Sequence, residues 1–388
     1  MTLKKKKATL KLYAVWKKNV EKQATRQSVS AAKPSVQNEE KAEKKDEDAQ
    51  QQAKPSQSTD TGGKLEVHFL DVGQGDCTLI MCDGEYMLVD AGDNTKGTAV
   101  QSYLQSKGVT SLKYAIGTHP DADHIGGLDV VITKFNIDTL FMPPVAKDTK
   151  TYNDVIQAAS YKNLKITAPK SGATYSLGKS KFQIVSTDND YGTAANDWSI
   201  CIRLVNGNNS FLLIGDAEEA AELDMLKTGL TLKSDVYKAA HHGSKTGSIQ
   251  EFMNVVKPAY AVISCGVEND YGHPHAAVLN TFRTMGVSVF RTDEQGTIVA
   301  TSDGTNITWN TSPSDSWKAG EPKGSLQTET PSQNSEAKTF VLNTNSGVFH
   351  LPSCNSVSNM SEKNKEEITC THDEMISKGY KACGNCNP

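Results

Sequence analysis

The sequence lacks any apolar run that approaches the roughly 20 residues needed to span a bilayer as a helix. Residues 1–22 mix lysines with isolated apolar side chains, without the continuous apolar core or small-residue cleavage site of an export signal. The formal net charge is only -4, which excludes the strong overall field of a protein that coats a polyanion. We therefore predict no transmembrane segment, and we expect any partner to be recognised through local motifs.

Two segments with few aromatic or branched side chains divide the chain. Residues 1–64 are predicted to be a disordered tail and linker, and residues 311–338, rich in Ser, Pro, Thr and Glu, a second linker. Such segments bury too little apolar surface to offset the entropy lost on ordering. The remaining sequence predicts one larger domain over residues 65–310 and a small domain over residues 339–388.

Short apolar segments typical of strands alternate with amphipathic segments typical of helices across residues 65–310. The domain opens with three predicted strands, at Leu65–Val72, Thr78–Met81 and Tyr86–Asp90, and helices follow from about Gly97. A strand-rich opening followed by alternation predicts an α/β fold in which two sheets are flanked by helices.

Polar side chains stand directly after several of the predicted strands. Asp90 and Asp216 each end an apolar strand, His119 follows the strand Tyr114–Gly117, and His241 and His242 follow another strand. A single Asp in such a position is usually a helix cap. Polar residues at four strand ends together favour a functional site, because loops at strand ends can position side chains without disturbing the core.

The run His119-Pro-Asp121-Ala-Asp123-His124 places two imidazoles and two carboxylates in a single turn. Carboxylates and neutral imidazoles packed this tightly would be unsatisfied without a cation. Mixed oxygen and nitrogen donors suit zinc or manganese better than calcium or a thiolate-preferring ion. The run therefore predicts a metal site and metal-dependent hydrolysis.

These motifs, taken in order and together with Gly215-Asp216 and His241-His242-Gly243-Ser244, resemble the metallo-β-lactamase superfamily. Two more, Asp71-Val-Gly-Gln-Gly-Asp76 and Tyr271-Gly-His273-Pro274, are similar to the hydrolase domain of ComEC-type competence proteins. The resemblance implies an αββα sandwich with one or two divalent ions, zinc or manganese, in a cleft at one edge of the two sheets.

The resemblance also implies roles for single side chains. The ligands would be His119 and Asp121 for one ion, Asp123 and His124 for the other, a bridging Asp216, and one of His241 and His242. The side chains that would orient these ligands through hydrogen bonds are Asp71, Asp76 and Asp90.

One departure from the superfamily pattern is plain, because no histidine occurs between His124 and His241. The polar candidates near the expected place of the missing ligand are Asn196, Asp197, Asp188 and Asp190. A site with fewer imidazoles and more carboxylates is harder, which shifts the preference from zinc toward manganese.

The implied chemistry is hydrolysis of a phosphodiester, most simply by a nuclease acting on DNA. Asp123 is a predicted catalytic residue, and Ser244 and Lys245 offer a hydroxyl and a cation to a phosphate. His273 is predicted to protonate the leaving group or to position the substrate. The alternatives are a non-catalytic surface binding module and a hydrolase of small esters or lactones. By family habit we expect an extracellular or cell-envelope location, although the missing export signal leaves a cytoplasmic one open.

The last 50 residues carry a second candidate metal site. His350-x-x-x-Cys354 and Cys383-x-x-Cys386 have the spacing of a tetrahedral zinc site, with Cys370 and His372 as spare donors and a disulfide as the rival interpretation. The segment is similar to the Ada-type zinc module. We therefore predict a small C-terminal zinc-binding domain.

Overall fold

The computed structural model describes residues 62–320, 337–383, 386 and 388, and the chain divides into two compact units, Met1–Lys323 and Gly324–Pro388. The predicted tail lies outside the described residues except for its last three, and so does the predicted linker over 321–336. None of the helices in the described ranges has the length and apolar character needed to cross a membrane.

Fifteen strands form two sheets in the described part of the larger unit. They are β1 (Leu65–Phe69), β2 (Thr78–Cys82), β3 (Glu85–Val89), β4 (Ser111–Ile116), β5 (Asn136–Phe141), β6 (Ile166–Thr167), β7 (Thr174–Leu177), β8 (Ser180–Ile184), β9 (Ile202–Asn206), β10 (Asn209–Leu213), β11 (Val236–Lys238), β12 (Tyr260–Ile263), β13 (Ser288–Arg291), β14 (Ile298–Ser302) and β15 (Ile307–Trp309). The first sheet has the order β15-β14-β1-β2-β3-β4-β5-β6, and the second has the order β13-β12-β11-β10-β9-β8-β7.

The helices of this unit are α1 (Gly97–Ser106), α2 (Ala122–Ile125), α3 (Leu128–Lys134), α4 (Lys150–Tyr161), α5 (Glu219–Lys227), α6 (Gln250–Val256), α7 (Ala276–Thr284) and α8 (Thr292–Gln295). Side chains of α1, α3 and α4 pack on the outer face of the first sheet, and those of α5, α6 and α7 pack on the outer face of the second. The predicted αββα fold is confirmed.

The central core lies between the two sheets. Phe69 and Tyr114 of the first sheet meet Phe182, Phe211 and Phe290 of the second in one buried cluster. Strand β10 is buried at every position, because it lies inside its sheet with the opposite sheet on one face and helices on the other. This explains why Phe211, Leu212 and Leu213 follow one another without polar residues between them.

The larger unit continues past residue 310, although composition predicts a linker from 311. Ser314 donates its backbone N–H to Val289 O at 2.7 Å, and Gly320 donates to Pro274 O at 2.9 Å. The side chains of Trp317 and Ala319 pack on the helical face of the second sheet.

The smaller unit has a four-stranded sheet in the order β18-β16-β17-β19. Its elements are β16 (Lys338–Asn343), β17 (Val348–His350), α9 (Asn355–Ser358), β18 (Lys365–Cys370), α10 (His372–Ser377) and β19 (Lys381–Ala382). Phe340, Leu342, Phe349 and Met375 are buried together as a core of its own.

Candidate metal centre

The topology brings the polar strand ends to one edge of the sandwich. Strands β3 and β4 run parallel, so Asp90 and His119 leave the first sheet on the same side. Strands β10 and β11 are also parallel, which does the same for Asp216 and His242 in the second sheet. The two edges meet, because Ile200 N donates to Thr118 O at 2.9 Å.

Four buried side chains converge there and form what we call the four-donor group. Their ligand atoms all lie within 4.8 Å of one another, and they belong to Asp76, His124, Asp216 and His242. Nε2 of His124 lies 3.1 Å from Asp216 Oδ1, and Nε2 of His242 lies 3.3 Å from Asp216 Oδ2. Asp123 borders the group, with Oδ2 3.1 Å from His242 Nε2.

The two histidines of the group are held with one nitrogen turned inward. Nδ1 of His124 donates to Asp90 Oδ2 at 2.8 Å, and Nδ1 of His242 donates to the carbonyl of Ser264 at 3.0 Å. Because each Nδ1 is held by its own hydrogen bond, each Nε2 faces the carboxylates. Asp90 also accepts from the N–H of Thr118 at 2.8 Å, so it makes the orienting contacts that the resemblance implies.

The backbone around the group adopts conformations that side chains rarely tolerate. Asp90, His241 and His242 have φ values of 59°, 46° and 56°, in the left-handed region. Such residues cost on the order of 1–3 kcal/mol each and persist only where the surroundings hold them. The strained backbone therefore occurs at residues that position or supply donor atoms of the four-donor group.

The buried carboxylates of the group attract positive charge. Burial alone would lower the pKa of His124 and His242, but Asp216 together with Asp90 and Asp123 outweighs it and raises both pKa values well above the ordinary value. The same attraction overcomes burial to hold the pKa of Asp216 well below its usual range and that of Asp123 at about 2. Protons on imidazoles thus take the place that a cation would fill.

A buried atom without a partner supports a cation in that place. Nε2 of His119 has no hydrogen-bond partner among the described residues. Burial, followed by the charge of His124, lowers the pKa of His119 to about 4, so its imidazole is neutral and free to ligate. The donors are nitrogens and carboxylate oxygens, which fit zinc or manganese.

His119 and His241 flank Asp216 on its other oxygen. Nε2 of His119 lies 3.9 Å and Nε2 of His241 lies 3.6 Å from Asp216 Oδ2. Nδ1 of His241 lies 3.1 Å from Glu218 Oε1 and 3.0 Å from Thr246 Oγ1. His242 therefore belongs to the four-donor group, whereas His241 borders it and is partly exposed.

Two predicted carboxylates are engaged elsewhere. Asp121 accepts from Lys147 Nζ at 2.6 Å and stands before α2, so the structure does not bring it into the four-donor group. Asp71 accepts from the N–H of Gly73 at 3.0 Å, which stabilises a turn at the surface. Asp76, which the resemblance assigns to orientation only, instead places a carboxylate among the donors.

The candidates for the missing ligand also have other partners. Asp197 caps the start of α5 by accepting from Glu218 N at 3.1 Å and Ala221 N at 3.2 Å. Asn196 donates to the side chain of Glu218. Asp188 and Asp190 accept from the backbone N–H groups of Ser171 and Gly192.

Of the three residues predicted to contact the substrate, one is engaged within its own loop and two lie beside the centre or on the surface. Ser244 is buried, and its hydroxyl accepts from Thr246 Oγ1 at 3.0 Å, so it braces its own loop. Lys245 is exposed beside this loop. The buried ring of His273 lies 5.4 Å from that of His241 and 6.0 Å from that of His242 between centroids, so it stands next to the centre.

Lys238 is a buried charge beside the four-donor group that sequence reasoning missed. It is 2% exposed, and its Nζ lies 2.9 Å from Asp76 Oδ1. A lysine that ends an apolar strand is rarely buried without a partner, so this signal was available in Val236-Tyr-Lys-Ala-Ala240. Its ammonium offsets one of the buried carboxylates.

The smaller unit contains a second donor cluster. Ligand atoms of His350, Cys354, Cys383 and Cys386 lie within 4.8 Å of one another, and all four of the unit's cysteines are free thiols. A hydrogen bond from the backbone of Ser356, assisted by His350, lowers the pKa of Cys354 to about 6. Three thiols and one imidazole match the donor set of a structural zinc site.

Comparison with known proteins agrees with this geometry. The model of the metallo-beta-lactamase superfamily matches residues 70–267. ComE operon protein 3 of Bacillus subtilis (strain 168) is 29% identical over 251 residues, which are 60% of this chain and 32% of that protein. Recombination protein 2 of Haemophilus influenzae is 32% identical over 238 residues, or 60% of this chain and 28% of that protein.

The chain thus spans about a third of the length of the curated relatives it matches. Among solved structures, the metallo-beta-lactamase fold protein YhfI from Bacillus subtilis covers 62% of this chain and 100% of its own, at 13% identity and a TM-score of 0.41. The family match and the competence-protein relatives confirm the resemblance predicted from the motifs. The chain belongs to the metallo-beta-lactamase superfamily and is a hydrolase-type member related to competence proteins.

Proposed function

We propose that this chain is a metal-dependent phosphodiesterase that cleaves DNA. The observation that carries the proposal is the four-donor group, buried at the edge where both sheets end and bordered by Asp123 and His119. Such an arrangement is suited to hold a divalent ion beside an approaching substrate.

The residues that would hold the ion are Asp76, Asp123, His124, Asp216 and His242. When bound there, a divalent cation would lower the pKa of a water molecule toward neutrality and stabilise negative charge on a phosphate. Asp90 and Ser264 fix the imidazoles, and Lys238 keeps the carboxylate of Asp76 compensated.

His273 is positioned to donate a hydrogen bond to the substrate. The amide of Gln74 is fixed in direction, because its Oε1 accepts from Gly266 N at 3.2 Å. Its Nε2 therefore points at Nδ1 of His273, 3.3 Å away. With Nδ1 accepting, the proton of the neutral imidazole sits on Nε2. Burial and the neighbouring His242 lower the pKa of His273 to about 3, so the ring stays neutral and donates a hydrogen bond rather than a full charge.

The names of three relatives support DNA as the substrate class. They are a ComE operon protein, a recombination protein and a competence protein. Two lysines near the centre offer positive charge to a phosphate backbone, namely Lys147 beside Asp121 and the exposed Lys245.

The test is hydrolysis of a labelled single-stranded oligonucleotide by the full chain with Mn²⁺ or Zn²⁺. Asp123→Ala and His124→Ala should reduce turnover below detection while the circular dichroism spectrum stays unchanged. Asp121→Asn is the matched control within the same turn. Because its carboxylate is paired with Lys147, this variant should retain turnover within a few-fold.

Other outcomes would refute the proposal. Unchanged turnover in Asp123→Ala would remove the four-donor group from the chemistry. Binding of DNA without turnover under either ion would favour a binding module. Turnover of esters or lactones without cleavage of DNA would indicate a small-molecule hydrolase.

A further inference from the structure

A cavity of about 650 Å³ lies in the larger unit and has no role in the site described so far. This volume falls within the range of about 300–1,000 Å³ that small-molecule sites occupy. Three of its lining residues are aromatic, namely Tyr175, Tyr191 and Trp198, and each is partly exposed.

The cavity opens at the same edge of the sandwich as the four-donor group. Part of its wall is Pro143 and Pro144, which follow β5, and Thr167, which ends β6. Both strands run parallel to β4, which leads into His119, so all these loops leave the sheet on one side.

Ser199 joins the cavity directly to the metal centre. It lines the cavity, its Oγ lies 3.4 Å from His119 Nδ1, and the same oxygen accepts from the N–H of Asp216 at 3.1 Å. A molecule in the cavity is therefore separated from the donors by one side chain.

Hydrogen bonds hold the aromatic rings with their polar atoms turned to protein partners. Trp198 donates Nε1–H to Gly192 O at 3.2 Å, and Tyr191 donates its hydroxyl to Asp224 Oδ2 at 3.2 Å. The two rings meet edge to face at 6.0 Å. Tyr175 is fixed from behind by Phe182, with 5.2 Å between ring centroids. Tyr191 and Trp198 therefore offer ring surface, rather than polar atoms, to a ligand.

The lining of the cavity carries two carboxylates and one cation. The carboxylates of Asp188 and Asp197 are engaged by backbone N–H groups of Ser171, Glu218 and Ala221. Lys170 is exposed at the lining. Aromatic rings combined with a cation are the means by which proteins bind single-stranded nucleic acid without a fixed sequence.

We propose that this cavity binds an unpaired nucleobase of the substrate strand, next to the phosphodiester held at the metal centre. The inference rests on the proposed function and deepens it, because it makes single-stranded nucleic acid the substrate. A base can enter only when it is unstacked, so a duplex is a poor substrate. The rings select for a base but not for its identity.

The first experiment measures binding without catalysis. The full chain is titrated with thymidine monophosphate and, as a base-free control, with deoxyribose 5-phosphate, and tryptophan fluorescence is recorded. We expect quenching by the nucleotide alone and no quenching in Trp198→Phe, in which the reporting ring is absent. Equal signals from the two probes, or the same quenching in Trp198→Phe, would overturn the proposal.

The second experiment measures kcat/KM for a single-stranded oligonucleotide. Trp198→Ala and Tyr191→Ala should each lower it by about 5- to 150-fold, the equivalent of about 1–3 kcal/mol of base stacking. Trp198→Phe keeps an aromatic face and should stay close to wild type. Tyr161→Ala, which removes an exposed tyrosine on α4 outside the cavity, is the matched control.

The two experiments separate this inference from the proposed function. Nucleotide binding at Trp198 without any cleavage of DNA would leave the cavity assignment standing and refute the nuclease. Cleavage with Trp198→Ala and Tyr191→Ala indistinguishable from Tyr161→Ala would leave the nuclease standing and refute the cavity assignment.

Discussion

Replacing Lys238 by methionine should destabilise the metal-free protein strongly. At an effective dielectric constant of about 20, opposite charges at the 2.9 Å between Nζ and Asp76 Oδ1 attract by about 6 kcal/mol before desolvation is counted. Removing one partner of such a buried pair costs about 3–5 kcal/mol, because a charge is left without compensation. Asp76 is then a carboxylate facing Asp216 and Asp123 with one fewer cation nearby.

The assay is urea unfolding in EDTA, followed by tryptophan fluorescence. Trp198, Trp309 and Trp317 all lie in the described part of the larger unit, so they report on this domain. Lys238→Met should lose about 3–5 kcal/mol of unfolding free energy, and Asp76→Asn should also be destabilised. The double variant should lose clearly less than the sum of the two single losses.

Additivity would refute the reasoning. If the two single losses sum to the double loss within about 0.5 kcal/mol, the two side chains are energetically independent despite their contact. A second check uses the metal. Bound cation should restore part of the stability that Lys238→Met loses, because it takes over the compensation of Asp76; identical losses with and without metal would contradict this.

Two further predictions concern Glu222 and the smaller unit. Burial raises the pKa of Glu222 to about 8. Above pH 4.5 the folded state therefore holds a proton that the unfolded state has released. The unfolding free energy should fall by about 1.4 kcal/mol per pH unit as the pH rises toward 8. Glu222→Gln keeps an oxygen for the N–H of Ser248 and should remove this slope in urea titrations from pH 5 to 8; a wild-type slope of zero would contradict it. Cys383→Ser should lower the zinc content by one ion per chain in elemental analysis, and it should speed amide hydrogen exchange in the smaller unit alone. The control is Cys82→Ser, at a buried thiol of the larger unit, which should leave the zinc content unchanged.

The positions of the strands could be predicted because their sequences are periodic and buried. The strands predicted at Leu65–Val72, Thr78–Met81 and Tyr86–Asp90 are found at Leu65–Phe69, Thr78–Cys82 and Glu85–Val89. The helix α4 was missed, since its inward positions are Thr151, Val155 and Ala159, a weak apolar stripe in a polar sequence. The run from His119 to His124 predicted a metal site, and the strand ends at Asp90 and Asp216 added to it, because parallel strands end on one side.

The choice of donors could not be predicted in the same way. Asp121 and Asp123 are two residues apart with the same chemistry, and only the approach of Lys147 from a distant loop separates them. Asp76 depends on β1 and β2 folding back beside α2, where its backbone N–H donates to Asp123 O at 3.1 Å. Such contacts arise from the tertiary structure, and a linear motif carries no sign of them.

The four donors come from distant parts of the chain, the first at Asp76 and the last at His242, and from both sheets. A cation among them therefore links the halves of the sandwich at an edge where loops of both sheets meet. In the unfolded chain these side chains are far apart, so ion affinity and folding are thermodynamically coupled. At a free ion concentration of 100 times Kd, this coupling raises the free energy of unfolding by about 2.7 kcal/mol. The concentration of available metal would then determine the stability of the folded protein as well as its activity.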